Sequence, residues 1–214
     1  MLPSYTSLNL GHHMDLLYFE SPPGLQFLHS LQNSTTGGES VFSDSFRAAE
    51  LMRINRPNVY SILKKYPVTF HYRNDGKHYH YTRPTIVEDL GHHSPRISHT
   101  NYAPPFQAPF EAAEAGIERS GIFRGFVGAL KEFAAEVDAP SNQFETRLEP
   151  GTCAVFFNRR VLHSRREFDA KSGDRWLKGA YVDIDAFNSK YRTLSEQFRG
   201  TKDEEDQDAY EYLR

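Results

Sequence analysis

Short extended runs bounded by turns are the feature that most constrains how this chain can fold. Residues 5–20, 25–31, 40–43, 68–72, 144–148, 153–157 and 178–184 are rich in apolar, aromatic and β-branched side chains and read as strands. Pro22-Pro23-Gly24, Thr36-Gly37-Gly38 and Glu149-Pro150-Gly151-Thr152 supply turns between them. Helices are inserted or appended, and they do not alternate with the strands. One is capped at Asp44 or Ser45 and ends near Arg53, and a second starts at Arg56-Pro57. The clearest spans 118–137, where Ile122, Phe126, Leu130 and Phe133 recur at spacings of three or four, and the last spans 185–198. The stretch 73–117, rich in His, Pro and Tyr, has no clear period and reads as a long excursion with one or two short strands. Strands without βαβ alternation favour a mainly β domain with inserted helices, a β-sandwich or jelly roll.

Bulk properties narrow the function. A chain of 214 residues supplies one domain with a sizeable core. Its net charge of -3 gives no basic field for nucleic acid, so no nucleic-acid partner is expected. The single cysteine, Cys153, excludes a disulfide framework and a Cys-rich zinc site and fits a reducing compartment. No apolar run reaches the roughly 20 residues that span a bilayer, and residues 1–10 lack the basic-then-apolar layout of a signal peptide. No membrane association is expected. The cytoplasm is the expected location, with the mitochondrion as the alternative. Residues 201–214 (TKDEEDQDAYEYLR) read as a loose acidic tail on a domain of residues 1–200.

Against this background the stretch LNLGHHMDLLYFE, residues 8–20, is anomalous, because His12, His13 and Asp15 sit inside a run built to be buried. A buried charge is costly unless it is paired or bound to a metal. In an extended chain His13 and Asp15 point to the same side. One imidazole and one carboxylate need one more imidazole to form the facial triad of non-haem Fe(II), which leaves three coordination positions open. His163, in RRVLHSRR, supplies that imidazole in a strand-like context. Arg175 follows just before the strand WLKGAYVDID, where its planar fork could hold a dicarboxylate through two parallel hydrogen bonds.

Longer motifs surround these residues. The stretch from Tyr5 to Arg53 contains His13-x-Asp15, the PPG-x-Q-x-L-H run at 22–29 and TGGES at 36–40. A second block runs RVLHSRREF…GDRWLKGAYVDIDAFNSKYR. Together they resemble the γ-butyrobetaine and trimethyllysine dioxygenases of the taurine-dioxygenase-like superfamily of Fe(II)/2-oxoglutarate oxygenases. The resemblance implies a double-stranded β-helix. It implies that His13, Asp15 and His163 bind Fe(II) as the catalytic centre, that Arg175 pairs with the distal carboxylate of 2-oxoglutarate, and that Thr36 assists cosubstrate binding. It matches Tyr5 and Tyr181 to aromatic positions around a quaternary ammonium, and Asn101 to a polar segment that contacts substrate. Ring faces are the physical solution there, because a trimethylammonium has no N–H to donate. O2 is the implied co-reactant, 2-oxoglutarate is converted to succinate and CO2, and a small molecule is hydroxylated. A homodimer is the one assembly kept open.

The chain also departs from that family. The family carries a substantial upstream region with further cage aromatics, which is expected to be lacking here. An acidic residue and a tryptophan common near its distal histidine are replaced by Phe157 and Arg159. Two other readings therefore stand beside the first: an oxygenase of the same class acting on another small molecule in specialised metabolism, and a shortened, inactive interaction protein. His12 is read as a bystander. His71, His78, His80, His92, His93 and His99 are read as a polar loop and not as a second metal site, and Cys153 as a core residue.

Overall fold

The computed structural model describes residues 7–89, 91, 95–110 and 120–199. A four-stranded antiparallel sheet runs in the order β1 (Leu10–His13), β11 (Val161–Arg165), β4 (Ser40–Asp44) and β9 (Gln143–Thr146). A three-stranded sheet runs β10 (Cys153–Phe157), β2 (Leu25–Asn33) and β13 (Arg175–Val182). A small pair, β3 (Thr36–Gly37) with β12 (Phe168–Asp169), closes one end. The two larger sheets face each other. Phe42 of β4 meets Phe156 of β10 with ring centroids 5.3 Å apart, and Phe156 meets His163 of β11 at 5.4 Å. This is the double-stranded β-helix, and it bears out the mainly β expectation.

Helices cover the outer side of the four-stranded sheet. α1 (Ser45–Asn55) begins at Asp44, whose carboxylate accepts from the Phe46 N–H at 2.9 Å as an N-cap. Pro57 starts α2 (Pro57–Lys65), where its missing N–H costs nothing. α3 (Ser120–Val137) buries Phe126, Phe133 and Val137, all at 0 % exposure, against Ala48, Ala49 and Met52 of α1. α4 (Ile184–Arg199) closes the described chain, and none of the described helices is long and apolar enough to cross a membrane.

The excursion is more ordered than its composition suggests. β5 (Pro67–Asn74) and β6 (Lys77–Pro84) form a long hairpin, and β7 (Ile86–Asp89) pairs with β8 (Arg96–Thr100). The hairpin turns at Asp75-Gly76, both with positive φ (51° and 70°), the tight-turn dipeptide that a period search passes over. The strand expected over residues 5–20 is shorter: it ends at His13, and the chain turns through Asp15–Tyr18 with Leu16 at φ 61°. Cys153 is exposed and not in the core. The expected tail, Tyr5, His92 and His93 lie outside the described residues.

Candidate metal centre

Strand register explains how distant residues meet. β1 pairs with β11 so that His13 lies directly opposite His163. Directly opposite side chains on one face of an antiparallel pair sit within reach of each other, and the two imidazole centroids are 4.2 Å apart. Asp15, in the turn after β1, swings its carboxylate to both rings: Oδ1 lies 3.5 Å from His13 Nε2 and Oδ2 lies 3.8 Å from His163 Nε2. One ligand atom from each residue falls within 4.8 Å of the others. Asp15 therefore joins from a turn, not by strand alternation as the sequence suggested.

The surroundings set the protonation states. His13 Nδ1 donates to the Gly11 carbonyl at 2.8 Å, which turns Nε2 toward Asp15. Burial pushes the His163 imidazole down to about 3, so it is neutral at physiological pH. Burial alone would raise the Asp15 carboxyl, but the two imidazoles and the Tyr181 hydroxyl outweigh it and hold the group well below the usual carboxylate range. An ionised carboxylate beside the neutral His163 imidazole suits a divalent metal, which binds deprotonated ligands. The histidine–carboxylate separations exceed those of hydrogen bonds, an opening that suits a cation. By composition and spacing, the donor set fits a two-histidine, one-carboxylate metal.

A second set of residues holds Asp15 in place. Gln26 and Tyr181 are register partners across β2 and β13, and both donate to Asp15 Oδ2 at 2.6 Å. Asn158, at 0 % exposure, clamps the Asp15 backbone, accepting from its N–H and donating to its carbonyl, both at 2.9 Å. The sequence reading assigned no role to Gln26 or Asn158. Gln26 was visible as a polar residue in the PPG-x-Q-x-L-H run, whereas no periodic signal marks Asn158.

The triad opens on a cavity of about 700 Å³. Tyr18, Tyr72, Phe106 and Tyr181 line it together with His13, Asp15 and His163, and Arg175 lines it with Phe168 and Leu177. The Arg175 guanidinium lies 5.6 Å from the Phe168 ring centroid, with its Nε buried and unpaired. Its side chain fits because Gly38 (φ +80°) carries none: a Cβ there would stand 3.1 Å from Arg175 Nε. Burial, with repulsion from Arg165 and Arg147, lowers Arg175 to about 10, which leaves it charged at neutral pH. Two other expected contacts lie elsewhere. The Thr36 side chain is exposed and does not line the cavity. The Asn101 amide donates to the Pro84 carbonyl at 2.7 Å and accepts from Arg159 at 2.6 Å, so its polar groups are held by neighbours outside the cavity.

The chain is similar to known proteins. The chain is 42% identical over 199 residues to "Dioxygenase str8" of Strobilurus tenacellus, an alignment covering 89% of this chain and 44% of that protein. It is 39% identical over 192 residues to the gamma-butyrobetaine dioxygenase of Pseudomonas sp. (strain AK-1), covering 89% of this chain and 48% of that one. The chain thus spans about half the length of these relatives. Among solved structures, asparagine oxygenase in complex with Fe(II), 2S,3S-3-hydroxyasparagine and succinate superposes with a TM-score of 0.60 at 20% identity, covering 86% of this chain and 53% of that chain; this shows the shared fold. A family profile described as "Taurine catabolism dioxygenase TauD, TfdA family" matches residues 2–181, and the chain belongs to that family.

Proposed function

We propose that this chain forms the metal-binding catalytic domain of an Fe(II)- and 2-oxoglutarate-dependent dioxygenase that hydroxylates a small molecule, with residues 1–200 as the domain and 201–214 as an acidic appendage. The observation that carries the reading is His13 opposite His163 with Asp15 between them, in one cavity with Arg175, whose buried Nε has no hydrogen-bond partner among the described residues. His13, Asp15 and His163 would hold the metal, and Arg175 would receive the far carboxylate of the cosubstrate by charge-assisted hydrogen bonds. The chemistry that Fe(II), 2-oxoglutarate and O2 bring to such a site is oxidative decarboxylation to succinate and CO2, with one oxygen atom entering a substrate C–H bond. The rings of Tyr18, Tyr72 and Phe106 restrict water around the reacting centre, and Gln26, Tyr181 and Asn158 keep the carboxylate ligand in one orientation.

Anaerobic Fe(II) with 2-oxoglutarate is expected to give a weak visible charge-transfer band. His163→Ala should lose both metal and band, and Arg175→Gln should keep the metal and lose the band. Absence of the band in the wild type, together with no succinate formation in air, would leave an inactive interaction protein as the surviving reading.

For the substrate we favour a betaine-like acid carrying a quaternary ammonium. Its support is the aromatic lining of the cavity and the 39% identity to a gamma-butyrobetaine dioxygenase. Tyr181→Phe keeps the ring and should leave KM for γ-butyrobetaine within about twofold, whereas Tyr181→Leu should raise it about tenfold. Equal KM values for the two variants would remove the ring from the substrate site. Turnover of unrelated acids in place of γ-butyrobetaine would favour an oxygenase of specialised metabolism.

A further inference from the structure

A second cavity, of about 980 Å³, shares no lining residue with the metal cleft. It is bounded by the loop around Pro22, by β8, by the segment 157–160 and by the start of α4. Three guanidiniums reach it. Arg160 is accounted for, because Asp44 receives its Nε at 3.1 Å and its terminal nitrogen at 2.8 Å. Arg83 and Arg159 are different. Among the described residues Arg83, at 8 % exposure, donates only to the Phe19 and Glu20 carbonyls and stacks on Tyr81 at 4.3 Å. Arg159 donates to the neutral Asn101 amide oxygen at 2.6 Å. The Nε of each is buried with no hydrogen-bond partner. Neither forms an ion pair among the described residues. The acids at the cavity, Glu20, Asp183 and Asp185, are solvent-exposed.

Two desolvated cations facing the same space repel each other, and buried guanidiniums are tolerated when an anion joins them. Burial and the Arg83 charge bring Arg159 to about 9, still charged at neutral pH. His99, which also faces the cavity, is pushed to about 3 by burial and by the same two arginines, so it adds a neutral ring. Phe46 and Phe157 supply apolar wall. Phe157 and Arg159 are also the two positions at which this chain departs from the pattern it otherwise resembles.

We propose that this cavity is a binding site for a small oxyanion, a carboxylate or phosphate on a compact apolar body, with Arg83 and Arg159 as its charged floor. The site is independent of the metal centre, since it uses none of the residues of that cleft.

Calorimetric titration of the full chain with inorganic phosphate and with phenylacetate tests it, on an Arg175→Gln background that silences anion binding in the metal cleft. One equivalent of phosphate or phenylacetate is expected to bind with a Kd below about 1 mM. Adding Arg159→Gln should weaken binding at least about tenfold, and Arg159→Lys, which keeps the charge and loses the fork, should weaken it less. In parallel, replacing chloride by phosphate at constant ionic strength should raise the melting temperature of Arg175→Gln and leave that of the Arg159→Gln double variant unmoved. If Arg159→Gln does not fold, the Arg159→Lys titration carries the comparison. No saturable binding on the Arg175→Gln background, or binding indifferent to both substitutions at residue 159, would overturn the site.

Discussion

At the scale of single residues, Gln26 and His99 give the sharpest tests. Gln26 is fully buried and reaches only one oxygen of Asp15 among the described contacts, so its amide orients a ligand that it does not replace. Loss of such an outer partner typically weakens metal binding 10–100-fold. Gln26→Leu is therefore expected to raise the Mn(II) dissociation constant by about tenfold, read by titration, while circular dichroism stays unchanged. Unchanged affinity would reduce Gln26 to packing. His99 makes a separate prediction about pH. Its folded value, near 3, lies below the ordinary 6.5, so the unfolded chain binds a proton that the folded chain refuses. Stability from this group is fully present above pH 6.5 and declines as pH falls toward 3. The slope is about 1.4 kcal/mol per pH unit. Denaturant titrations from pH 7 to 4 should show a shallower decline for His99→Gln, and parallel curves would refute the assignment.

At the scale of elements, the helix start at Asp44 joins local and tertiary roles. The same carboxylate caps α1 and receives Arg160 from the segment before β11. Asp44→Ala should cost about 1 kcal/mol from the cap, seen as a melting temperature lower by roughly 2–4 °C in a chain of this size. Asp44→Asn, which keeps a capping oxygen, should recover most of it. A loss equal to that of Ala would shift the weight to the Arg160 ion pair. Helices were legible because caps and a 3.6-residue period are local signals: Asp44, Pro57 and the Phe126–Phe133 stripe announce their elements directly. The hairpin of β5 and β6 was less so. Residues 68–72 announced β5, but His78 and His80 of β6 lack apolar alternation, so its partner strand carried no comparable signal.

At the scale of the whole molecule, the proposed metal ligands join β1 and its following turn to β11, which lie far apart along the chain. A cation bound to the folded state alone stabilises by mass action, about 2.7 kcal/mol at one hundred times its Kd. Added Mn(II) should raise the melting temperature of the wild type by several degrees and leave His163→Ala unmoved. An equal rise in both would locate the metal elsewhere. The sequence alone singled out the candidates His13, Asp15, His163 and Arg175, because a histidine and an aspartate inside an apolar run, a late histidine and an arginine before a strand are visible as residue types in order. It also determined the class of fold, since strand and turn propensities act over a few neighbours. Only the tertiary structure decided that His13 faces His163, that Gln26, Tyr181 and Asn158 hold Asp15, that Asn101 is turned toward Arg159, and that Arg83 and Arg159 share a cavity without a carboxylate partner among the described residues. Register, burial and charge pairing depend on which segments meet across space, and that energy is not written in any local stretch of chain.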